Sequence, residues 1–213
     1  MAKVRKIDKA PPEDARNYYV IDACFLANWA IPRSIAPPGA SQTQIDLCME
    51  WWAEIEAQLD AGRARVYVPD ICIAETFKVL AKKYYSEKWF KSAVAFNNAR
   101  NRLRRFITTP TATLKAAKRV VKFHDVSTTR DIIISVDRFY ELFHKNKLDG
   151  VSVPDLIVVS TAKYLVDFFD IPKSRLHIVT LDRKLRKGST KIQELPNAYD
   201  PTEAADRAAR VFR

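Results

Sequence analysis

In Tyr18-Tyr19-Val20-Ile21-Asp22-Ala23-Cys24 an apolar run without alternation stops at a single carboxylate. A strand with one wet face alternates apolar and polar residues, so an unbroken run reads as a parallel strand buried on both sides. Arg65-Val66-Tyr67-Val68 and Leu176-His177-Ile178-Val179-Thr180 repeat the pattern, and Lys191-Ile192-Gln193-Glu194-Leu195 is a weaker candidate. Helical stretches separate these runs. Strands alternating with helices predict an α/β fold around a central, mostly parallel sheet flanked by helices.

The helical signals are local. Ser41-Gln42-Thr43-Gln44 fits a capping box that opens a helix running to about Asp60, with Ile45, Cys48, Trp52, Ile55 and Leu59 at helical spacing and Gly62 as its stop. Asp70 can cap a helix carrying Ile71, Ala74, Phe77, Val79 and Leu80. Residues 87–123 are helical in composition and rich in Arg and Lys, including Lys115, Lys118, Arg119 and Lys122. A further helix is expected over roughly 128–146, and Ser152 can cap another from about Val153 to Phe169. Residues 1–16, with Pro11-Pro12, read as a loose basic leader. Residues 17–200 then form a single domain with helical cover or an insertion at about 86–150, and 201–213 a tail that includes a short helix.

Composition narrows the classes of function. A chain of 213 residues can build one substantial core. Its 36 Lys and Arg against 25 Asp and Glu leave a formal charge of +11, which suits a polyanionic partner. Four glycines, Gly39, Gly62, Gly150 and Gly188, cannot assemble a dinucleotide or P-loop signature. Cys24, Cys48 and Cys72 are odd in number and too far apart for a zinc pair, so reduced, buried thiols are expected. Met1-Ala2-Lys3-Val4-Arg5-Lys6 leads into no apolar segment, and no stretch approaches the ~20 apolar residues of a membrane span. A cytoplasmic protein without a membrane partner is the expectation.

Against this basic background stand four acids in apolar settings. Asp22 ends the first strand, and Glu75 lies in the helix after the second, in Val68-Pro69-Asp70-Ile71-Cys72-Ile73-Ala74-Glu75. Asp155 opens an apolar helix, and Asp182 follows the strand Leu176–Thr180. Taken singly, each has an ordinary role as a cap, a turn residue or a first-turn anion. Together they are costly to bury unless compensated, and a hard cation such as Mg2+ is a natural compensator. Ligands of open parallel sheets bind beyond the carboxyl ends of the strands, where Asp22 and Asp182 both stand. An acidic centre on a basic body points to a metal-dependent nuclease.

The order of these acids resembles the PIN-domain family, including VapC-type toxin ribonucleases. Val20-Ile21-Asp22, the Val68-Pro69 to Glu75 segment, Asp155-Leu156-Ile157-Val158-Val159-Ser160-Thr161-Ala162 and Thr180-Leu181-Asp182 carry the likeness, and residues 86–150 hardly at all. The resemblance implies a PIN-like three-layer fold and Mg2+- or Mn2+-dependent hydrolysis of RNA phosphodiester bonds. It further implies a role as the toxin of a toxin–antitoxin pair, with an antitoxin protein and a homodimer as partners. Asp22, Glu75, Asp155 and Asp182 carry over as catalytic, metal-site residues, with Thr180 as a helper. Two positions depart from the pattern: Cys24 replaces a hydroxyl or amide side chain, and Lys184 stands near where many members place another acid.

Lys82, Lys83, Arg100, Arg102, Arg104 and Arg105 are candidate RNA contacts, holding phosphates without reading bases. Tyr84, Tyr85, Trp89 and Phe90 interleave with lysines, either as a stacking surface for single-stranded RNA or as the core face of an amphipathic helix. The alternative function is a catalytically inactive PIN-like RNA-binding or scaffolding protein. A phosphatase or phosphoacceptor would call for an aspartate pair near Asp22, which Ala23-Cys24 does not supply.

Overall fold

The computed structural model describes residues 16–107 and 123–207. Five strands, β1 (Asn17–Ile21), β2 (Ala64–Pro69), β3 (Phe123–Val126), β4 (Leu176–Val179) and β5 (Asn197–Tyr199), form one sheet in the order β3-β2-β1-β4-β5. Every pairing is parallel. Successive strand residues point to opposite faces, and all five residues of β1 and all four of β4 are buried. Both faces of the sheet are therefore covered, which is why these strands read as unbroken apolar runs. The fold class is α/β, with helices flanking an all-parallel sheet.

The first connection carries α1 (Ala23–Ala30) and α2 (Ala40–Asp60); α3 (Asp70–Tyr85) and α4 (Ala93–Ile107) follow β2. Next come α5 (Arg130–Lys145) and α6 (Val153–Phe168), then α7 (Arg183–Lys191) between β4 and β5, and a short α8 (Ala204–Arg207). One face of the sheet is lined by Tyr19, His177 and Tyr199, and α2 covers it. Gln58 accepts a hydrogen bond from the Tyr19 hydroxyl at 3.1 Å, and the Trp51 ring lies 6.2 Å from that of Tyr199. Between α1 and α2 the Phe25 and Trp52 rings stack at 4.9 Å, so Trp52 is core.

Several local expectations are corrected. No helix was anticipated after Asp22, yet Ala23–Ala30 is one, with Asp22 as its N-cap. The Ser41–Gln44 capping box does not form. The helix begins two residues earlier than a Ser41 cap would start it, Gly39 takes the cap position at φ 92°, and Ser41 lies within the first turn. The weak strand over Lys191–Leu195 is also absent: Lys191 closes α7, and pairing resumes at Asn197, where the chain lies beside β4. The 86–150 region supplies two helices and an edge strand, β3, whose four residues pair with β2. Of the expected elements, residues 1–15 of the leader, 108–122 of the basic helical stretch and 208–213 of the tail lie outside the described residues.

Candidate active site

The strand order reverses beside β1. The chain leaves β1 towards β2 and β3, and returns on the other side as β4 and β5. Parallel sheets bind ligands at such a switch point, beyond the carboxyl ends of the strands. Asp22 follows β1 there, and its backbone N–H still donates to Val179 of β4 at 3.0 Å. Its carboxylate is almost fully buried, at 3% exposure. Oδ1 accepts from the Ala23 N–H at 2.6 Å, and Oδ2 accepts from Thr180 Oγ1 at 2.8 Å. Thr180 in turn accepts from the Asp182 N–H at 2.9 Å. The Thr-x-Asp segment thus ties the end of β4 to the end of β1.

The other acids arrive by separate routes. Asp182 is the N-cap of α7, accepting from the Leu185 N–H at 2.7 Å. Asp155 belongs to a complete capping box: Ser152 Oγ accepts from the Asp155 N–H at 3.3 Å, and Asp155 Oδ2 accepts from the Ser152 N–H at 3.1 Å. Glu75 lies in α3 directly before the buried Thr76, whose hydroxyl meets the Ala23 and Cys72 carbonyls and draws α3 onto the start of α1.

These groups act on one another electrostatically. Burial pushes the Asp22 carboxyl from its ordinary 3.8 up to about 7, and Asp155 and Asp182 push the same way against the Thr180 and Ala23 hydrogen bonds. Burial also raises Asp155; Asp182 adds to that shift, while Ser152 and Lys184 oppose it. At Cys24, desolvation comes first, and then Asp22, Asp155, Glu75 and Asp182 all push the thiol up to about 12. All four predicted acids therefore act on one thiol at the first turn of α1. Cys48 and Cys72 are buried as expected, whereas Cys24 reaches the surface.

Two cations border this centre. Lys78 Nζ lies 3.7 Å from Glu75, a residue missed in the sequence although its i,i+3 spacing was there to be read. Lys184 donates to the carbonyl oxygens of Asp149 at 2.6 Å and Gly150 at 3.2 Å. As donors, four carboxylates and a hydroxyl suit an oxygen-preferring cation. The Asp22, Asp155 and Asp182 side chains are turned to helix starts, however, and among the described residues no three His, Cys, Asp or Glu side chains converge closely enough to hold a metal ion as they stand.

The basic candidates fall elsewhere. Lys82 and Lys83, in the last turn of α3, each lie 3.5 Å from Glu87. Lys83 is also drawn over the Trp89 ring, 3.2 Å from its centre. On α4, Arg100 lies over Phe96, Arg102 over Trp29 and Arg104 over Phe77, while Arg105 is exposed. Of the interleaved aromatics, Tyr84 stacks on Phe96 at 4.5 Å and Phe90 is buried, so these rings join α3 to α4; Tyr85 stays exposed. Among the described residues no helix is long and apolar enough to cross a membrane.

No protein-family model matches the chain, and a comparison with curated proteins finds no match. What the centre does is therefore argued from its geometry and chemistry.

Proposed function

We propose that this chain is a metal-dependent ribonuclease of the PIN-domain kind, hydrolysing RNA phosphodiester bonds, with a role as the toxin of a toxin–antitoxin pair. One observation carries the proposal. Thr180 bonds the buried Asp22 across the switch point, while burial first, and then Asp155 and Asp182, raise its affinity for a proton. Mutual repulsion among carboxylates at a ligand-binding crevice is what a divalent cation would relieve. Asp22, Glu75, Asp155 and Asp182 would hold Mg2+ or Mn2+. When bound, such an ion supplies Lewis acidity and a water of lowered pKa for attack on phosphorus.

The chain's own part is to position and balance charge. Thr180 and the Ala23 N–H fix both oxygens of Asp22, so its carboxylate cannot rotate freely. Lys78 offsets Glu75, and the chain's net charge of +11 draws an RNA backbone towards it. The same basic excess would serve a second reading, an RNA-binding protein without catalysis.

Cleavage separates the two. Single-stranded and structured RNAs incubated with Mn2+ should be cut by the wild-type chain, and chelator should stop the reaction. Asp22→Asn, Glu75→Gln and Asp155→Asn should each lower the rate on the order of a hundredfold while the far-ultraviolet circular dichroism is unchanged. Wild-type rates from any two of these variants would sink the proposal. RNA binding without cleavage by the wild type would favour the second reading.

A further inference from the structure

One face of α7 is spent on a single loop. Lys184, Gly188 and Lys191 recur at the i, i+4, i+7 spacing that places residues on one side of a helix. Lys184 grips the Asp149 and Gly150 carbonyls, and Lys191 Nζ donates to the Asn146 carbonyl at 3.0 Å. Between them Gly188 lies so close to α5 that a Cβ there would overlap the Phe143 ring. The loop has been shaped to receive this face. Lys147 and Gly150 both hold positive φ, at 58° and 75°, and a Cβ on Gly150 would come within 2.8 Å of Lys184 Nζ. Two residues after Gly150 stands Ser152, the cap of α6 and the partner of Asp155.

We infer that Lys184 is a positioning residue for Asp155, acting through the Asp149–Gly150 carbonyls to fix the Ser152–Asp155 capping box at the crevice. Lys184 lies two residues after Asp182, so one helix start carries both an acid of the centre and the clamp on the loop that presents another. The spacing of Asp155 from Asp182 is thereby set by one short helix rather than by two elements that drift independently. Exposure of the Lys184 side chain does not weaken this role, because a cationic donor on two adjacent carbonyls makes charge-assisted hydrogen bonds.

The clamp is independent of the ribonuclease proposal; only its consequence for a cation rests on it, and the test keeps the two apart. Amide hydrogen exchange is followed by NMR on the labelled, chelator-treated chain as wild type, Lys184→Met and Lys184→Arg. The Met variant keeps the stem and loses the donors. Its Ser152 and Asp155 amides should exchange about fivefold faster, while the Ala23 amide, capped by Asp22, keeps its rate. Arg, which retains donors and charge, should restore most of the protection. Unchanged exchange at Ser152 and Asp155 in Lys184→Met would overturn the inference, as would an equal acceleration at Ala23 or no rescue by Arg. Mn2+ titrations followed by thermal melting add the consequence: Lys184→Met should shrink the Mn2+-induced rise, and should shrink it no further in an Asp155→Asn background. A wild-type chain without any Mn2+ response would count against the ribonuclease proposal and leave the exchange result to decide the clamp.

Discussion

At the scale of single residues, Asp22 carries the largest consequence. Its carboxyl is buried, and burial followed by repulsion from Asp155 and Asp182 raises it from 3.8 to about 7. An acid with a raised folded pKa binds its proton more tightly folded than unfolded. That stabilisation is complete below about 3.8 and is lost as pH climbs to about 7, above which the ionised carboxylate destabilises the metal-free fold by roughly 4 kcal/mol. Asn cannot ionise, and it retains one acceptor for the Ala23 N–H at a cost of about 1 kcal/mol for the disturbed Thr180 bond. In chelator, Asp22→Asn should therefore melt at least about 5 °C above wild type at pH 8, and the two should converge near pH 5. Melting curves at the two pH values decide it; a constant gap between variant and wild type would show that Asp22 does not titrate as its surroundings demand. Little of this was legible in the sequence. The type and place of Asp22 could be read, but its bond to Thr180 spans 158 positions and only the folded chain makes it.

At the scale of elements, two Ser-led starts looked alike in sequence and fold differently. Ser152 became a true cap with Asp155 as its reciprocal partner, because Gly150 and the loop before it give the chain an extended approach to α6. Ser41 follows Pro37-Pro38-Gly39-Ala40, and Gly39, at positive φ, caps α2 before Ser41 can act. The spacing of a capping box can be read from sequence, but the backbone angle that activates it depends on its neighbours. β3 escaped for a different reason. Four residues on a sheet edge, paired on one side only, leave too short a pattern to stand out from a helical stretch. By contrast α6 and β4 were read almost to the residue, since β4 and the Leu156–Ala162 stretch of α6 are buried without a break and leave a long apolar signal. The two serines make a direct comparison. Ser152→Ala should lose about 1 kcal/mol of stability in urea unfolding, and Ser41→Ala should change it by less than about 0.5 kcal/mol. Equal losses would mean that the cap of α6 is not the feature that fixes its start.

At the scale of the whole molecule, charge and fold divide the labour. The sheet gathers acids at its switch point, while the chain as a whole carries an excess of +11. That excess was plain in composition, whereas the allocation of each cation was not. Lys83 looks equivalent to Arg105 in a basic stretch, yet Lys83 packs over Trp89 beside Glu87, while Arg105 is exposed. Burial lowers the Lys83 pKa, and Glu87 opposes that shift, so this ammonium belongs to the α3–α4 junction. A cation committed to internal packing releases no counterion when RNA arrives, and only exposed ones add to the salt dependence of binding. The two sites should therefore separate when RNA affinity is measured across a salt series with chelator present. Lys82→Ala with Arg105→Ala should weaken binding and flatten the log–log slope by about 1.4, about 0.7 for each single-strand phosphate contact. Lys83→Ala should leave the slope unchanged and instead lower the melting temperature, because it removes both the stem packed on Trp89 and one of the two lysines that pair with Glu87. An unchanged slope in the double variant would move the RNA path off α3 and α4. A flattened slope in Lys83→Ala would put that lysine on the RNA after all.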